Sequence, residues 1–327
     1  MDSLKPLFDV FLDPDLRLAP IYLVAFVALA ALIWALRDRR EGKGFLRWLF
    51  PREIYLHPSH LVDIQLFLLN RALTLFGAFN AVAINTAAII LVIAGLSAAT
   101  GSELTSGPWS WSQMLLVTVV LVVVGDFCTY WVHRVSHETP VLWPFHALHH
   151  SAEVMTPVTA YRKHPVYDYL NSVARAALVG VATGFVLFFI TSDINLVTIG
   201  GANIIYAVFN VLGSNFRHTH IWISYGPVLE RILISPAQHQ IHHSLEVEHH
   251  NKNYGEVFAI WDWMFGTLYV PQGRTELRFG LADRRGNLLA QPHPTLKDAL
   301  VGPFRDSAKA FSRRFGGKRG GKPVTPR

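Results

Sequence analysis

The chain has 327 residues, 51% of them hydrophobic and 16% charged, with a mean hydropathy of +0.29. That balance is too apolar for a soluble domain of this length and reads as one integral membrane domain. The formal charge of +6 does not indicate nucleic acid, since the basic residues flank apolar runs and gather at the C-terminal end, where an anionic lipid surface is the fitting partner.

The N-terminal stretch to Arg17 holds more Asp than Lys or Arg. From Ala19 to Leu36 the sequence is unbroken apolar, close to the roughly 20 residues a helix needs to cross about 30 Å of hydrocarbon. No basic segment precedes this run, which argues against a signal peptide. Arg37, Arg39, Arg40, Lys43, Arg47 and Arg52 follow it and mark its cytoplasmic side, leaving the N-terminus outside. Asp63, Asn70 and Arg71 interrupt the next apolar stretch, so Leu61 to Phe76 is expected as a partly polar helix lying at the cytoplasmic face and Ala81 to Leu96 as the second span. The loop Ser97 to Ser112 has no Lys or Arg and is placed outside. Met114 to Trp131 makes a third span, and Val173 to Ile190 with Ile194 to Leu212 make a closing pair. Within that pair, Asn195, Asn203, Tyr206 and Asn210 could shape a lipid channel, or Gly200 and Gly201 could serve close helix packing. The expected fold is all-α: an integral membrane helical bundle of about five spans with a cytoplasmic, histidine-rich helical cap. Residues 1–275 form the membrane domain, and residues 276–327 a partly flexible basic tail, in which Arg305 to Arg327 counts eight Lys or Arg against one Asp.

The chain has sixteen histidines, and most lie between His133 and His250. The single cysteine, Cys128, excludes a disulfide framework and a thiolate metal site, so any metal is held by nitrogen and oxygen. His133 and His137, four apart on a helix, can grip one ion from one face. Asp126 and Tyr130 share that stripe, and the Asp126 carboxylate is expected to accept the second ring N–H of a liganding histidine. The triplet His-x-x-His-His occurs twice, as His146, His149, His150 and as His239, His242, His243, and each is expected to form one patch giving two or three imidazoles to one site. With His218, the surplus over the four ligands of a zinc ion argues for two metal ions, while the count alone leaves iron, copper and zinc open. A single Glu246-x-x-His249 does not make a soluble carboxylate di-iron bundle, which needs two such motifs.

These three boxes, together with Asn253-Tyr-Gly, Trp261-Asp262 and Phe265-Gly266-Thr267, resemble the fatty acid hydroxylase / sterol desaturase superfamily of membrane di-iron enzymes over about Leu115 to Tyr269. The resemblance implies metal ligation by His133, His137, His146, His149, His150, His218, His239, His242 and His243, two iron ions and molecular oxygen as co-substrate. His220 is kept as a tenth ligand candidate. His164 is expected to line the substrate entrance or carry a hydrogen bond, His249 and His250 to be solvated, and His57, His60 and His293 to lie on the surface.

The leading function is an oxygen-dependent monooxygenase hydroxylating an unactivated C–H of a membrane lipid: an acyl chain, a sterol-like molecule or a headgroup such as that of an ornithine lipid. A desaturase on the same iron site is the alternative. A metal transporter, whose ligands belong near the bilayer midplane, and a zinc-stabilised structural membrane protein are rivals of other classes. The sequence holds no glycine-rich dinucleotide fingerprint and no His-Pro-Gly-Gly motif. An external donor, a ferredoxin or a cytochrome with its reductase, is therefore implied. The composition rich in alanine, valine and arginine points to a bacterial inner membrane, with the metal site on the cytoplasmic face.

Overall fold

The computed structural model describes residues 16–102, 110–190, 196–283 and 285–315, and the side chains of 41, 196–203 and 206 are not described. Its long helices are α1 (Pro20–Ile33, continued by a π-helical turn to Asp38), α2 (Pro58–Leu75), α3 (Val82–Thr100), α4 (Trp111–Glu138), α5 (Trp143–His150), α6 (Pro165–Phe189), α7 (Leu196–Gly213), α8 (Pro236–His242) and α9 (Leu296–Phe315). Among the described residues β-pairing is confined to isolated bridges. The protein is an all-α membrane bundle with a histidine-rich helical cap.

Among the described residues, four helices are long and apolar enough to cross a bilayer: Pro20–Asp38, α3, α4 and α6. They match the first four expected spans. The fifth expected span overlaps α7; Asn195 lies outside the described residues, and nothing is described of the side chains of Asn203 and Tyr206 or the surroundings of Gly200 and Gly201. None of α3 is buried although its sequence is almost wholly apolar, an arrangement that suits lipid and not water. It packs along α6 where two glycines allow close approach. A Cβ at Gly180 would sit 2.6 Å from the Asn85 carbonyl oxygen, and one at Gly184 2.8 Å from the Val92 Cβ.

Helix α2 is not among the helices long and apolar enough to cross a bilayer. Its polar residues face the segment leading into α6: Asp63 pairs with Arg162 at 2.7 Å, and the Asn70 amide donates to the Lys163 carbonyl at 3.0 Å. Helix α4 starts at a reciprocal cap, Ser110 with Gln113, and runs on for 28 residues, so the span and the first histidine pair are one rigid rod. Phe26 and Ala30 of α1 pack with Trp48, Leu49, Phe216 and Ile221, fixing the first span against the turn that carries His218.

The expected basic tail contains an ordered helix. Helix α9 runs to Phe315, and its Ala299 joins Val62 and Leu66 of α2 and Leu148 of α5 in a buried cluster. Residues 316–327 lie outside the described residues.

Candidate metal centre

Three helices and one turn bring the site histidines together. Helix α4 supplies His133 and His137, α5 supplies His146, His149 and His150, and α8 supplies His239 and His242, with His243 at its C-cap. His218 ends the 3-10 turn Ser214–His218. Helix α8 is held in place by its cap: the Ser235 hydroxyl accepts from the Gln238 amide, and the Gln238 side chain accepts from the Ser235 amide.

All nine histidines converge, in two groups. His133, His137, His146, His150 and His242 form one, and His149, His218, His239 and His243 the other, with ligating atoms within 4.8 Å of one another in each. Each triplet is divided between the groups, contrary to the expectation of one patch per triplet. The pair four residues apart, His146 with His150 or His239 with His243, enters one group, while His149 or His242 enters the other. On a helix, side chains three and four apart diverge enough for two ions to share one turn.

The donor set fits metal. The Nε2 atoms are 3.2 Å apart in His146–His150, 3.3 Å in His149–His218, 3.0 Å in His218–His239 and 3.2 Å in His239–His243. Metal–nitrogen bonds of about 2.0–2.1 Å at angles between octahedral and tetrahedral put neighbouring nitrogens about 2.9–3.4 Å apart. Nε2 of His137 and Nε2 of His242 are buried with no hydrogen-bond partner, a costly state for a polar atom unless a cation takes the lone pair. His133 Nδ1 bonds to the Tyr254 carbonyl at 2.8 Å, and His242 Nδ1 to the Lys252 carbonyl at 2.7 Å; both carbonyls can only accept, which leaves each Nε2 as the free lone pair. Burial, and after it the closeness of other cations and imidazoles, holds the cap histidines well below the usual imidazole range. They are neutral at pH 7, the form that ligates.

Asp126 differs from its expected role. Its carboxylate accepts from the Val257 and Phe258 amides and the Trp261 indole at 2.9, 3.1 and 2.9 Å, and from no histidine. It folds the loop whose Tyr254 carbonyl orients His133. Asp262 completes that loop by accepting from the Tyr254 and Gly255 amides at 2.8 and 2.7 Å. A Cβ on Gly255 would lie 2.5 Å from the Phe258 carbonyl oxygen, so the loop needs glycine there. Tyr130 packs on Phe265, and its hydroxyl meets Thr267 at 3.1 Å.

His220 stands apart from both groups. Its Nε2 bonds to the Trp48 carbonyl at 2.8 Å and its ring meets Trp48 edge-on. His164 caps α6 through the Val166 amide and donates to the Leu300 carbonyl at 3.0 Å, so it carries hydrogen bonds and does not enter the site. His60, His249 and His293 are buried, not solvated: His60 meets Thr156, His249 lies under Tyr269, and His293 meets Ser151. The half-buried His57 caps α2, and the half-buried His250 bonds to the Leu245 carbonyl.

Arg162 was not singled out from the sequence. Fully buried, it donates to the Leu148 carbonyl at the C-terminal end of α5, to Ser151 and to Asp63. It thereby satisfies the end of the helix carrying three site histidines. The available signals were an Arg between two histidine boxes and an Asp in a partly polar helix.

Residues 118–267, which hold all nine histidines, match the family model for fatty acid hydroxylases. This segment is similar to a fatty acid hydroxylase domain. It is 31% identical to alkylglycerol monooxygenase of Homo sapiens, over 49% of this chain and 31% of that protein. It is 30% identical to ornithine lipid hydroxylase OlsE of Rhizobium tropici, over 57% of this chain and 52% of that protein. To a Delta(7)-sterol 5(6)-desaturase of Gibberella zeae it is 28% identical, over 55% of this chain and 52% of that protein. The chain thus spans between about a third and about half of these relatives' length. No solved structure matches it significantly.

Proposed function

We propose that the protein is an oxygen-dependent lipid hydroxylase whose two histidine groups hold two iron ions. The observation that carries this reading is the convergence of nine imidazoles, eight of them buried, into groups of five and four. The similarity to an alkylglycerol monooxygenase and an ornithine lipid hydroxylase supports a lipid as substrate. Iron bound there would supply the activation of molecular oxygen and the oxidation of an unactivated C–H bond.

The protein's own part is placement and exclusion. The Tyr254 and Lys252 carbonyls fix the tautomers of His133 and His242, and the Asp126-organised loop fixes Tyr254 in turn. Tyr167 lies against His146, with ring centroids 4.7 Å apart, and limits how far that imidazole can swing. Burial of the two groups keeps bulk water away from the reacting carbon. Electrons come from a separate carrier, a ferredoxin or a cytochrome with its reductase. The cluster of Arg and Lys after the first span supports placing this centre on the cytoplasmic face, and the composition rich in alanine, valine and arginine supports a bacterial inner membrane.

Mass spectrometry of total lipids tests the reading, using cells grown under heavy-isotope oxygen and expressing the wild type or His149→Ala. The expected result is one lipid that gains a single labelled oxygen with the wild type alone. Loss of two hydrogens without label would instead make the protein a desaturase, the second reading, which the sterol desaturase similarity supports. Identical lipids in both cultures, in a host that supplies the donor, would contradict both.

A further inference from the structure

Resting on the oxygenase reading, we infer that the cavity beside the two histidine groups takes the lipid's polar headgroup and not the middle of an acyl chain, and that this headgroup bears an acid group, phosphate or carboxylate. The cavity, about 90 Å³, is bounded by His133 and His146 of one group and by His149, His218 and His239 of the other, so its occupant lies against both. At about 10–15 Å³ for each water-sized occupant, it holds on the order of six to nine such groups, which suits a headgroup and not a whole lipid.

Thr129 of α4 and Tyr167 and Asn171 of α6 line it, and both helices are long and apolar enough to cross the bilayer. A lipid therefore meets the cavity from the membrane side. Beyond them the wall is charged, with Arg17, Lys163, Arg217 and Glu256, and only Ala160 and Gly255 are apolar. A methylene chain threaded here would strip water from these charges and return no hydrogen bond.

The charges are unequal. Burial alone would raise Glu256, but Arg17 and Arg217 bring it down to about 2, so it is ionised and ion-pairs with Arg17. The Arg217 guanidinium donates to the Ile234 and Glu256 backbone carbonyls, which leaves its charge without a bonded carboxylate. Lys163 lies 3.8 Å from Asp168, at the outer limit of an ion pair, and is partly exposed. Three cations thus face two carboxylates at this wall, a surplus that an acid group would balance. Oδ1 of Asn171 is buried with no hydrogen-bond partner and can accept from a headgroup hydroxyl or amine.

Lipid retention tests this without turnover. Purified protein in detergent is offered an equimolar mixture of dioleoyl phosphatidylglycerol, N-oleoylglycine and dioleoylglycerol, and bound lipid is counted by native mass spectrometry. The wild type is expected to retain one acidic lipid about tenfold over dioleoylglycerol, and the preferred one tells phosphate from carboxylate. Lys163→Gln and Asn171→Leu should each lower that preference several-fold, whereas Arg47→Gln, an exposed cation outside the cavity, should not. Equal retention of all three lipids, or equal losses in Arg47→Gln and Lys163→Gln, would overturn the inference. Neither result bears on whether oxygen is transferred, so the oxygenase reading stands or falls separately.

Discussion

Every hydrogen bond of the buried Arg162 guanidinium ends on the backbone or side chains that hold α5 and α2 together. Replacing it with Met would leave Asp63, itself fully buried, without its counter-charge, at a cost of about 3–5 kcal/mol. Arg162→Lys keeps the charge without the planar fork and should fall between. Thermal unfolding of the purified variants, ordered wild type, Lys, Met, checks this; a Met variant as stable as the wild type would show that the pair is not needed. Asp126→Asn should be more harmful than its size suggests, since an amide can present only one acceptor oxygen to three donors. Eight of the nine site histidines were legible from spacings of three and four along a helix and His218 from the family resemblance, but the spacing did not say which rings share a group. The burial of His60 and His293 was not, because their partners Thr156 and Ser151 lie about a hundred residues away or more. Nor was the exclusion of His220, which depends on the Trp48 carbonyl arriving from another element. His220→Ala should therefore leave the metal content of the purified protein unchanged.

Helix α9 works as a clamp on the cap. Its buried Ala299 meets Leu148 of α5, and the segment before it bonds Ser151 through Gln291 and His293 at 2.6 and 3.1 Å. Burial, and after it the charge of Arg162, lowers His293 to about 4. The unfolded chain takes up this proton below about 6.5 while the folded chain stays neutral until about 4, so stability falls as pH drops through that window. The loss for this one group approaches about 3 kcal/mol at the acid end. His293→Gln should narrow the difference in unfolding temperature between pH 7 and pH 5, and a variant with the wild-type difference would rule the group out. At the α3–α6 contact, Gly184→Leu would press on Val92 and force the two helices apart. It should lower the yield of folded protein, whereas a substitution at an outward α3 residue such as Leu91 should not.

For the molecule as a whole, the apolar runs were enough to draw a multi-span bundle and to set one partly polar helix, α2, apart from the candidate spans. The sequence did not show where the polar residues of α2 point, because Asp63 and Asn70 take their meaning from the segment around Arg162. Nor did it show that the basic C-terminal region returns to cover α5, since the polar face of α9 reads as a tail until its buried Ala299 is seen. The division of each histidine triplet between two groups is likewise a property of the assembled cap. That division is what makes two metal ions from nine imidazoles geometrically reasonable. The ratio of metal to protein in the purified chain tests it most directly, measured for the wild type, His149→Ala and His242→Ala. The wild type should hold two iron ions, and each variant should lose occupancy in a different group while staying folded in the membrane fraction. One ion or fewer in the wild type, or full occupancy in both variants, would contradict the two-group centre.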